Sequence, residues 1–481
     1  MPPYLHFILK EHPNKKWLFI AIVAAIVQFT LFKWLYPFGD YFIDSYSYLG
    51  AAVSHAEVSY RPIGYTRFLC IVHTLTTSET ALTGIQYLLL QLGALHLFFS
   101  VLYFYKPGKK FRLLLFVFLL FNPLTLYLAN YVSSDALFTA LSLFWFIQLL
   151  WTLHRPGLYQ LPVLAALLYL LLQTRFTALY YPLPAMLALV LLRQKLWYKI
   201  TGAALFIFVA FFCIFSVQRT TEAATGTKVF SAFGGWQWAN NAMHIYCHVR
   251  PNAREMPARY AELDSFVRRY FDTACPRRLL APASTDYMWD ADKPLKQYMD
   301  YYQDSHHLRS YFVAWTAVGP IYSGYGRYLA QKYPVAFTQY YLWPSTKMYL
   351  LPSLEVMLSY NQGVDTIDKV AKDWFRYPGK VTCVSKRLQT VLLAPFPLFF
   401  LLANLFFAAG GLWFLRLKGF RRATPAFSRS LLLVFFFFIL NAVFSIVATP
   451  ASSVRYSVFP LLLLACFTGL IFDWLYRNRP R

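Results

Sequence analysis

The segment Trp17–Phe38 reads WLFIAIVAAIVQFTLFKWLYPF, and its only charged residue is Lys33. About 20 predominantly apolar residues suffice for a helix to cross the hydrocarbon core of a bilayer. Lys33 lies beside Trp34 and Tyr36 near one end of the segment, where a lysine can extend its amine to the interface. No small-residue cleavage site follows, so the segment predicts a membrane anchor rather than a removed signal peptide.

Similar apolar runs recur along the whole chain. Of its 481 residues, 58% are hydrophobic and only 14% are charged, whereas soluble proteins carry about 25% charged residues. The sequence therefore predicts an all-α polytopic membrane protein with about ten transmembrane helices. The predicted spans are Trp17–Phe38, Ala81–Tyr105, Leu113–Tyr131, Ala136–Leu153, Leu158–Gln173, Phe176–Leu192, Ile200–Val217, Val391–Leu415, Leu431–Ala448 and Tyr456–Leu475.

The distribution of Lys and Arg predicts the orientation of these spans. With the N-terminus inside, the cytoplasmic segments hold 19 basic residues and the short outer segments hold 4. Short basic loops stay on the cytoplasmic side, so both termini are predicted to be cytoplasmic, in a plasma (inner) membrane protein. The alternative of one long helix over 158–192, unbroken at Thr174-Arg175, would place the basic loops 193–199 and 416–430 outside.

Three modules follow from this topology. Residues 1–217 form an N-terminal transmembrane module of seven spans, 218–387 a mixed extracytoplasmic domain, and 388–481 a C-terminal module of three spans. The extracytoplasmic domain holds Cys247, Cys275 and Cys383, which allow one disulfide and leave one cysteine unpaired. The net charge of +24 is concentrated in short loops, and without a basic helix or aromatic-basic module we expect no binding of nucleic acid.

Ionisable residues gather where the predicted outer loops meet the spans. Such residues are costly to desolvate at a membrane edge and are functional candidates by default. Arginine offers a two-pronged fork to phosphate oxygens, and a carboxylate can accept a proton from a hydroxyl nucleophile. The outer-face candidates are Asp40, Asp44, Tyr48, Arg61, Asp135, Arg175 and Arg455.

The order of these residues resembles a known enzyme superfamily. Asp44 is followed four residues later by Tyr48, and then come Arg-Pro-x-Gly-Tyr at Arg61, Ser-Asp-x-Leu-Phe at Asp135, Thr-Arg-Phe at Arg175 and Arg-Tyr-x-x-x-Pro at Arg455. This series resembles the GT-C superfamily of polyprenyl-phosphate-sugar-dependent glycosyltransferases. It is most similar to the bacterial branch of glycosyltransferase family 39, which is related to protein O-mannosyltransferases. The resemblance covers the transmembrane modules, while 218–387 resembles no family that we can name.

The resemblance implies transfer of a hexose or pentose from a polyprenyl-phosphate carrier to an acceptor hydroxyl on a lipid, a glycan or a protein. It implies that Asp44 is the base and that Asp135 orients the site or shares a divalent cation with Asp44, Mg²⁺ or Mn²⁺. Arg175 and Arg455 would hold the donor phosphate, with Arg61 as a further contact. The other first-loop candidates for a share of the work are Asp40 and Tyr48.

Structural interpretations compete with these roles. Asp44 or Ser45 could cap a short interfacial helix, and Asp135 could cap the fourth span. Arg61 precedes a proline and could be a solvated loop residue. Two other function classes also stay open, a lipid-linked glycan polymerase or ligase and a polytopic transporter of lipid or another substrate. A transporter would place charges near the middle of its spans, which are nearly free of charge here.

Overall fold

A computed structural model describes residues 3–278, 284–377, 380–448 and 453–478. Within these ranges the chain is helical, and its only β-type pairings are three isolated bridges. The predicted all-α class is therefore confirmed. In the N-terminal module the helices are α1 (Tyr4–Leu9), α2 (His12–Leu35), α3 (Ile43–Val53), α4 (Gly64–Leu75), α5 (Glu79–Tyr105), α6 (Lys109–Leu120), α7 (Pro123–Asn130), α8 (Ser134–His154), α9 (Gln160–Thr174), α10 (Pro182–Leu191) and α11 (Leu196–Thr225).

The remaining helices belong to the central segment and the C-terminal module. They are α12 (Gly234–Val249), α13 (Ala258–Arg278), α14 (Asp286–Trp289), α15 (Pro294–Ser305), α16 (Tyr311–Lys332), α17 (Pro334–Phe337), α18 (Trp343–Leu350), α19 (Lys369–Phe375), α20 (Lys386–Leu393), α21 (Phe396–Arg416), α22 (Gly419–Arg422), α23 (Pro425–Ala448) and α24 (Val454–Arg477). Short helical turns occur at Phe176–Tyr180, Ala253–Glu255, Thr338–Leu342, Glu355–Leu358 and Tyr360–Gly363.

Eight helical segments in the described ranges are long and apolar enough to cross a membrane, and they correspond to eight of the ten predicted spans. Two of them are interrupted. The break between α6 and α7 lies at Asn122, whose side chain accepts a hydrogen bond of 3.0 Å from the amide of Leu124, and the following Pro123 suits the first helical position. The other two predicted spans are shorter apolar helices, α9 and the segment from Phe176 to Leu191.

These two shorter helices form a hairpin. Arg175 has an extended backbone between them, so the break predicted at Thr174-Arg175 is present. At the far end of the hairpin, the Leu191 carbonyl accepts a hydrogen bond from Arg429 at 3.3 Å, and Tyr198 donates to the Gly157 carbonyl at 3.1 Å. The chain after α10 is therefore back at the end where α9 began.

The predicted cytoplasmic loops lie together at one end of the helix bundle, which we call the basic face. The amide of Gly108 bonds Asp473 at 3.1 Å, and the hydroxyl of Tyr105 bonds Ser430 at 2.8 Å. The opposite end, the site face, carries the N-termini of α3, α8 and α24 and the C-terminus of α9. That the site face lies outside the cytoplasm is the prediction from the basic-residue count.

One charge within a predicted span, Lys33, has a partner that the sequence did not indicate. The Lys33 amine lies 3.5 Å from a carboxylate oxygen of Glu79, the first residue of α5, and donates to the Asn130 side chain at 3.2 Å. The Tyr377 hydroxyl completes the group by donating to Glu79 at 2.5 Å. Because an unpaired buried ammonium is costly, the ion pair with Glu79 stabilises Lys33 near the end of α2.

The segment 218–387 was predicted to be mixed, and this is wrong for its described residues, which form helices. On α16 the buried residues Trp315, Val318, Tyr322 and Tyr325 recur at steps of three and four, which places one face of a helix in a core. Helices α12 and α16 approach closely because Gly235 has no Cβ. A Cβ atom at this position would lie 1.9 Å from a backbone oxygen of α16. The disulfide Cys247–Cys275 joins α12 to α13 and leaves Cys383 free.

Candidate active site

A backbone connection at the site face places two carboxylates side by side. The amide of Asp40 donates to the Asn130 carbonyl at 2.9 Å, and the amide of Val132 donates to the Asp40 carbonyl at 3.2 Å. This pairing holds the start of α3 beside the start of α8. Asp44 and Asp135 are each the second residue of their helix, where the positive end of the helix dipole favours a carboxylate.

Neither carboxylate caps its helix. Helix α3 begins after Phe42, whose backbone amide donates a hydrogen bond of 3.2 Å to the hydroxyl oxygen of Ser45. The capping interpretation of Asp44 is therefore wrong. Helix α8 begins after Ser133, whose hydroxyl instead donates to Asp135 at 2.7 Å. Both carboxylates are left to interact with arginines.

Arg61 forms the shortest contact with Asp44, at 2.5 Å between Nη2 and Oδ1. Its side chain is only 16% exposed and lies over the rings of Tyr48 and Phe233, 5.8 and 5.4 Å from their centroids. The solvated-loop interpretation of Arg61 is therefore wrong. The glycine of the Arg-Pro-x-Gly-Tyr pattern is Gly64, where α4 packs closely against the end of α9. A Cβ at this position would lie 2.4 Å from the carbonyl oxygen of residue 173, so a larger residue would not fit.

Arg455 lies at the centre of the charged cluster. Its Nη1 atom is 3.3 Å from Asp44 Oδ2 and 3.5 Å from Asp135 Oδ2, and its Nε atom is 3.5 Å from Glu355. Asp135 also forms an ion pair with Arg175. Both guanidinium groups lie over the ring of Tyr456, 4.6 Å away for Arg175 and 4.3 Å for Arg455. Such stacking suits a planar cation and keeps the two arginines adjacent.

A cavity of about 630 Å³ opens beside this cluster. One part is charged and is lined by Asp44, Arg61, Arg175, Glu355 and Arg455. The other part lies between the turn that precedes α10 and the helices α23 and α24, and is lined mainly by aromatic and apolar side chains, among them Tyr180, Tyr181, Phe444, Phe459 and Pro460. Asn441 also lines this part and lies seven residues before the end of α23. At 1.5 Å per helical residue, the deep end of the cavity therefore lies roughly 10 Å below the site face.

The predicted residues divide into those that reach the cavity and those that support it. Asp135 is buried and does not line the cavity, so it positions Arg175 and Arg455 rather than meeting a ligand. Tyr48 reaches the cavity and donates to Ser134 at 2.9 Å.

Asp40 lies apart from the arginine cluster. Its carboxyl group accepts hydrogen bonds from the Asn361 amide at 2.8 Å and from Gln389 at 3.4 Å. Burial raises the pKa of Asp40 to about 7, since desolvation disfavours the charged form. Asp40 therefore has a structural position, linking the first loop to the segment that follows α18.

Sequence reasoning missed Glu355. It lies in the segment that resembles no known family. The backbone amide of Val454 donates a hydrogen bond of 2.8 Å to the Ser353 carbonyl, and this bond holds the segment around Glu355 against the start of α24. Glu355 has a φ of +50°, and Gln362, which also lines the cavity, has a φ of +51°. Non-glycine residues in this region are strained and cluster at functional sites. The available signal was that Glu355 is the only charged residue in 348–358.

The geometry does not suit a divalent cation shared by Asp44 and Asp135. The guanidinium of Arg455 already lies between their Oδ2 atoms, at 3.3 and 3.5 Å. A shared cation would occupy that space and meet a like charge. Within the described ranges, no group of three or more His, Cys, Asp or Glu side chains is placed to hold a metal ion.

The fold and the site define a polytopic all-α membrane protein with a charged cavity at one face. No protein-family model matches this chain, and no similar curated protein or solved structure was found. The likeness to GT-C glycosyltransferases therefore rests on the sequence motifs.

Proposed function

We propose that this protein is a membrane glycosyltransferase that moves a sugar from a polyprenyl-phosphate carrier to an acceptor hydroxyl at the extracytoplasmic face. The observation that carries the proposal is the two-part character of the cavity. Its arginine-lined part suits a phosphate, and its aromatic part extends between membrane spans. A ligand with a phosphate head and a long apolar chain would match both parts.

The charge balance of the site supports phosphate as the ligand. Asp44, Asp135 and Glu355 oppose three arginines and form ion pairs with their guanidinium groups. A donor phosphate would compete for Arg455, which contacts all three. Glu355 is the carboxylate most easily displaced, because it makes one contact of 3.5 Å and is 40% exposed.

Displacement at the sugar would then proceed with inversion. The acceptor oxygen attacks the anomeric carbon, the bond from that carbon to the phosphate oxygen breaks, and its electron pair leaves with the polyprenyl phosphate. Arg175 and Arg455 stabilise the negative charge that develops there. The proton of the acceptor hydroxyl passes to Asp44, whose Oδ2 atom is freed as Arg455 turns to the phosphate. Arg61 keeps the carboxylate oriented through Oδ1.

The proposal is tested by binding and by product analysis in nanodiscs. Two contacts to charged groups are worth at least about 3 kcal/mol, so an undecaprenyl phosphate should bind roughly 100-fold more tightly than undecaprenol, which lacks the phosphate. The mass spectrum of lipid co-purified with the protein should contain a polyprenyl-phosphate sugar. Equal affinity for the two lipids, or transport of the sugar-lipid without release of polyprenyl phosphate, would refute the assignment.

A further inference from the structure

Trp289 presents a large aromatic ring to the cavity. It ends the short helix α14, lines the cavity and is 47% exposed. Its ring stacks on Trp315 at a centroid distance of 5.5 Å and an interplanar angle of 26°, and Phe233 meets it edge-on at 5.6 Å. An interfacial anchor would face lipid, whereas this indole faces the space beside the charged cluster.

The support beneath Trp289 is rigid. Trp315 is buried and stacks on Trp236 at 3.8 Å. The indole of Trp315 donates to the Ala232 carbonyl at 2.9 Å, and that of Trp236 donates to the Trp315 carbonyl at 3.0 Å. Aromatic side chains held in this way supply contact area at little cost in conformational entropy, which favours a binding role for the exposed ring.

A chain of contacts connects Trp289 to the proposed base, Asp44. Phe233 touches both Trp289 and the guanidinium of Arg61, and Arg61 contacts Asp44 at 2.5 Å. Gln237 lines the same wall and can exchange hydrogen bonds with hydroxyl groups. This wall comes from the extracytoplasmic segment, so it is distinct from the span-lined part of the cavity where a polyprenyl chain would lie.

We infer that the acceptor is a carbohydrate whose ring stacks on Trp289 and presents a hydroxyl group to Asp44. The C–H face of a pyranose is apolar and fits an indole, while its rim hydroxyls need polar partners such as Gln237. This inference rests on the proposed function and narrows its acceptor from lipid, glycan or protein to glycan or another sugar-bearing molecule. The stacked pair Trp289–Trp315 explains one role of the extracytoplasmic segment.

Binding of the full-length protein in nanodiscs to a printed array of hexose, hexosamine and pentose glycans tests the inference. The wild type should bind at least one class of glycan. Trp289→Ala should weaken that binding about tenfold or more, and Trp289→Phe should retain part of it, because an aromatic contact of this size is worth about one factor of ten. The matched control is Trp343→Ala, since Trp343 is 60% exposed and does not line the cavity.

Undecaprenyl phosphate binding, measured on the same samples, separates this inference from the proposed function. All three tryptophan variants should bind that lipid as the wild type does, which also shows that they are folded. Glycan binding by Trp289→Ala equal to wild type would overturn the inference, as would a wild type that binds the lipid but no glycan. Glycan binding that depends on Trp289 without any lipid binding would support the stacking of a sugar on Trp289 and refute the polyprenyl-phosphate donor.

Discussion

Asp44→Asn is the substitution that tests the proposed base most directly. Asparagine keeps the shape of the side chain and one acceptor oxygen, so the contact with Arg61 can persist, but it removes the group that takes the proton. Because Asp44 does not cap α3, loss of a cap cannot account for any effect. The loss of a general base typically costs about 10² to 10⁴ in rate, and we expect a fall in turnover of that size.

The structure also sets the expected cost in stability. Asp44 contacts Arg61 at 2.5 Å and Arg455 at 3.3 Å, and its side chain is 19% exposed. Hydrogen bonds to charged groups contribute about 1.5–3 kcal/mol each, but one of these is long and the site is partly solvated. We therefore expect the variant to lose about 2 kcal/mol, which leaves a folded protein whose affinity for undecaprenyl phosphate is nearly that of the wild type.

Turnover is measured as release of polyprenyl phosphate from the co-purified sugar-lipid, normalised to folded protein. The matched control is Asp40→Asn, four residues earlier in the chain, because Asp40 is buried outside the cavity. It should retain most of its turnover. If Asp44→Asn keeps more than about half of wild-type turnover, outside the range for a lost base, the reasoning is refuted. If only the Asp40 variant is inactive, Asp44 is not the base, and the purely structural role of Asp40 is refuted as well.

Four further outcomes are expected. Arg455→Lys keeps the charge but loses the planar fork, so undecaprenyl phosphate should bind about tenfold more weakly, and unchanged affinity would remove Arg455 from the phosphate site. Glu355→Gly removes a competing carboxylate and a left-handed strain of about 1 kcal/mol, so the same lipid should bind more tightly in a protein at least as stable. Burial raises the pKa of Asp40 to about 7, so the folded protein is stabilised by the neutral carboxyl group below about pH 4. This stabilisation is lost as pH rises through 7, and its loss amounts to roughly 4 kcal/mol for three pKa units. The unfolding midpoint of Asp40→Asn should therefore decline less over this pH range than that of the wild type. With the four free cysteines replaced, an impermeant maleimide added to intact cells should label Glu57→Cys but not Lys110→Cys, and the reverse pattern would invert the topology.

The spans could be predicted from sequence because their signal is local. A run of apolar residues identifies a span without reference to its neighbours, and eight predicted spans have long apolar helices in the structure. The same locality explains why the partner of Lys33 could not be predicted. Its partner Glu79 is 46 positions away in sequence, and no local pattern indicates which side chain will lie beside a buried amine.

The candidate site shows the same limit. The residue types and their common face could be predicted, since the motifs lie at the ends of predicted spans. Which of these residues line the cavity and which only support it could not be predicted. The burial of Asp135 beside Arg175 and the separation of Asp40 from the cavity depend on tertiary contacts. Glu355 was missed for a related reason. A bridge between Ser353 and Ser453, 100 positions apart, brings it to Arg455.

The contacts of Arg455 connect the stability of the site with its proposed chemistry. A buried arginine without partners would be costly, and the three carboxylates around Arg455 offset that cost while no ligand is bound. A phosphate can take over this role only if at least one carboxylate withdraws. Asp135 is buried and also bonded to Ser133, so it stays. Asp44 keeps Arg61, and Glu355 has no second cationic partner among the described residues. Ligand binding should therefore free one oxygen of Asp44 and release Glu355, so that the base becomes available only when a donor phosphate is present.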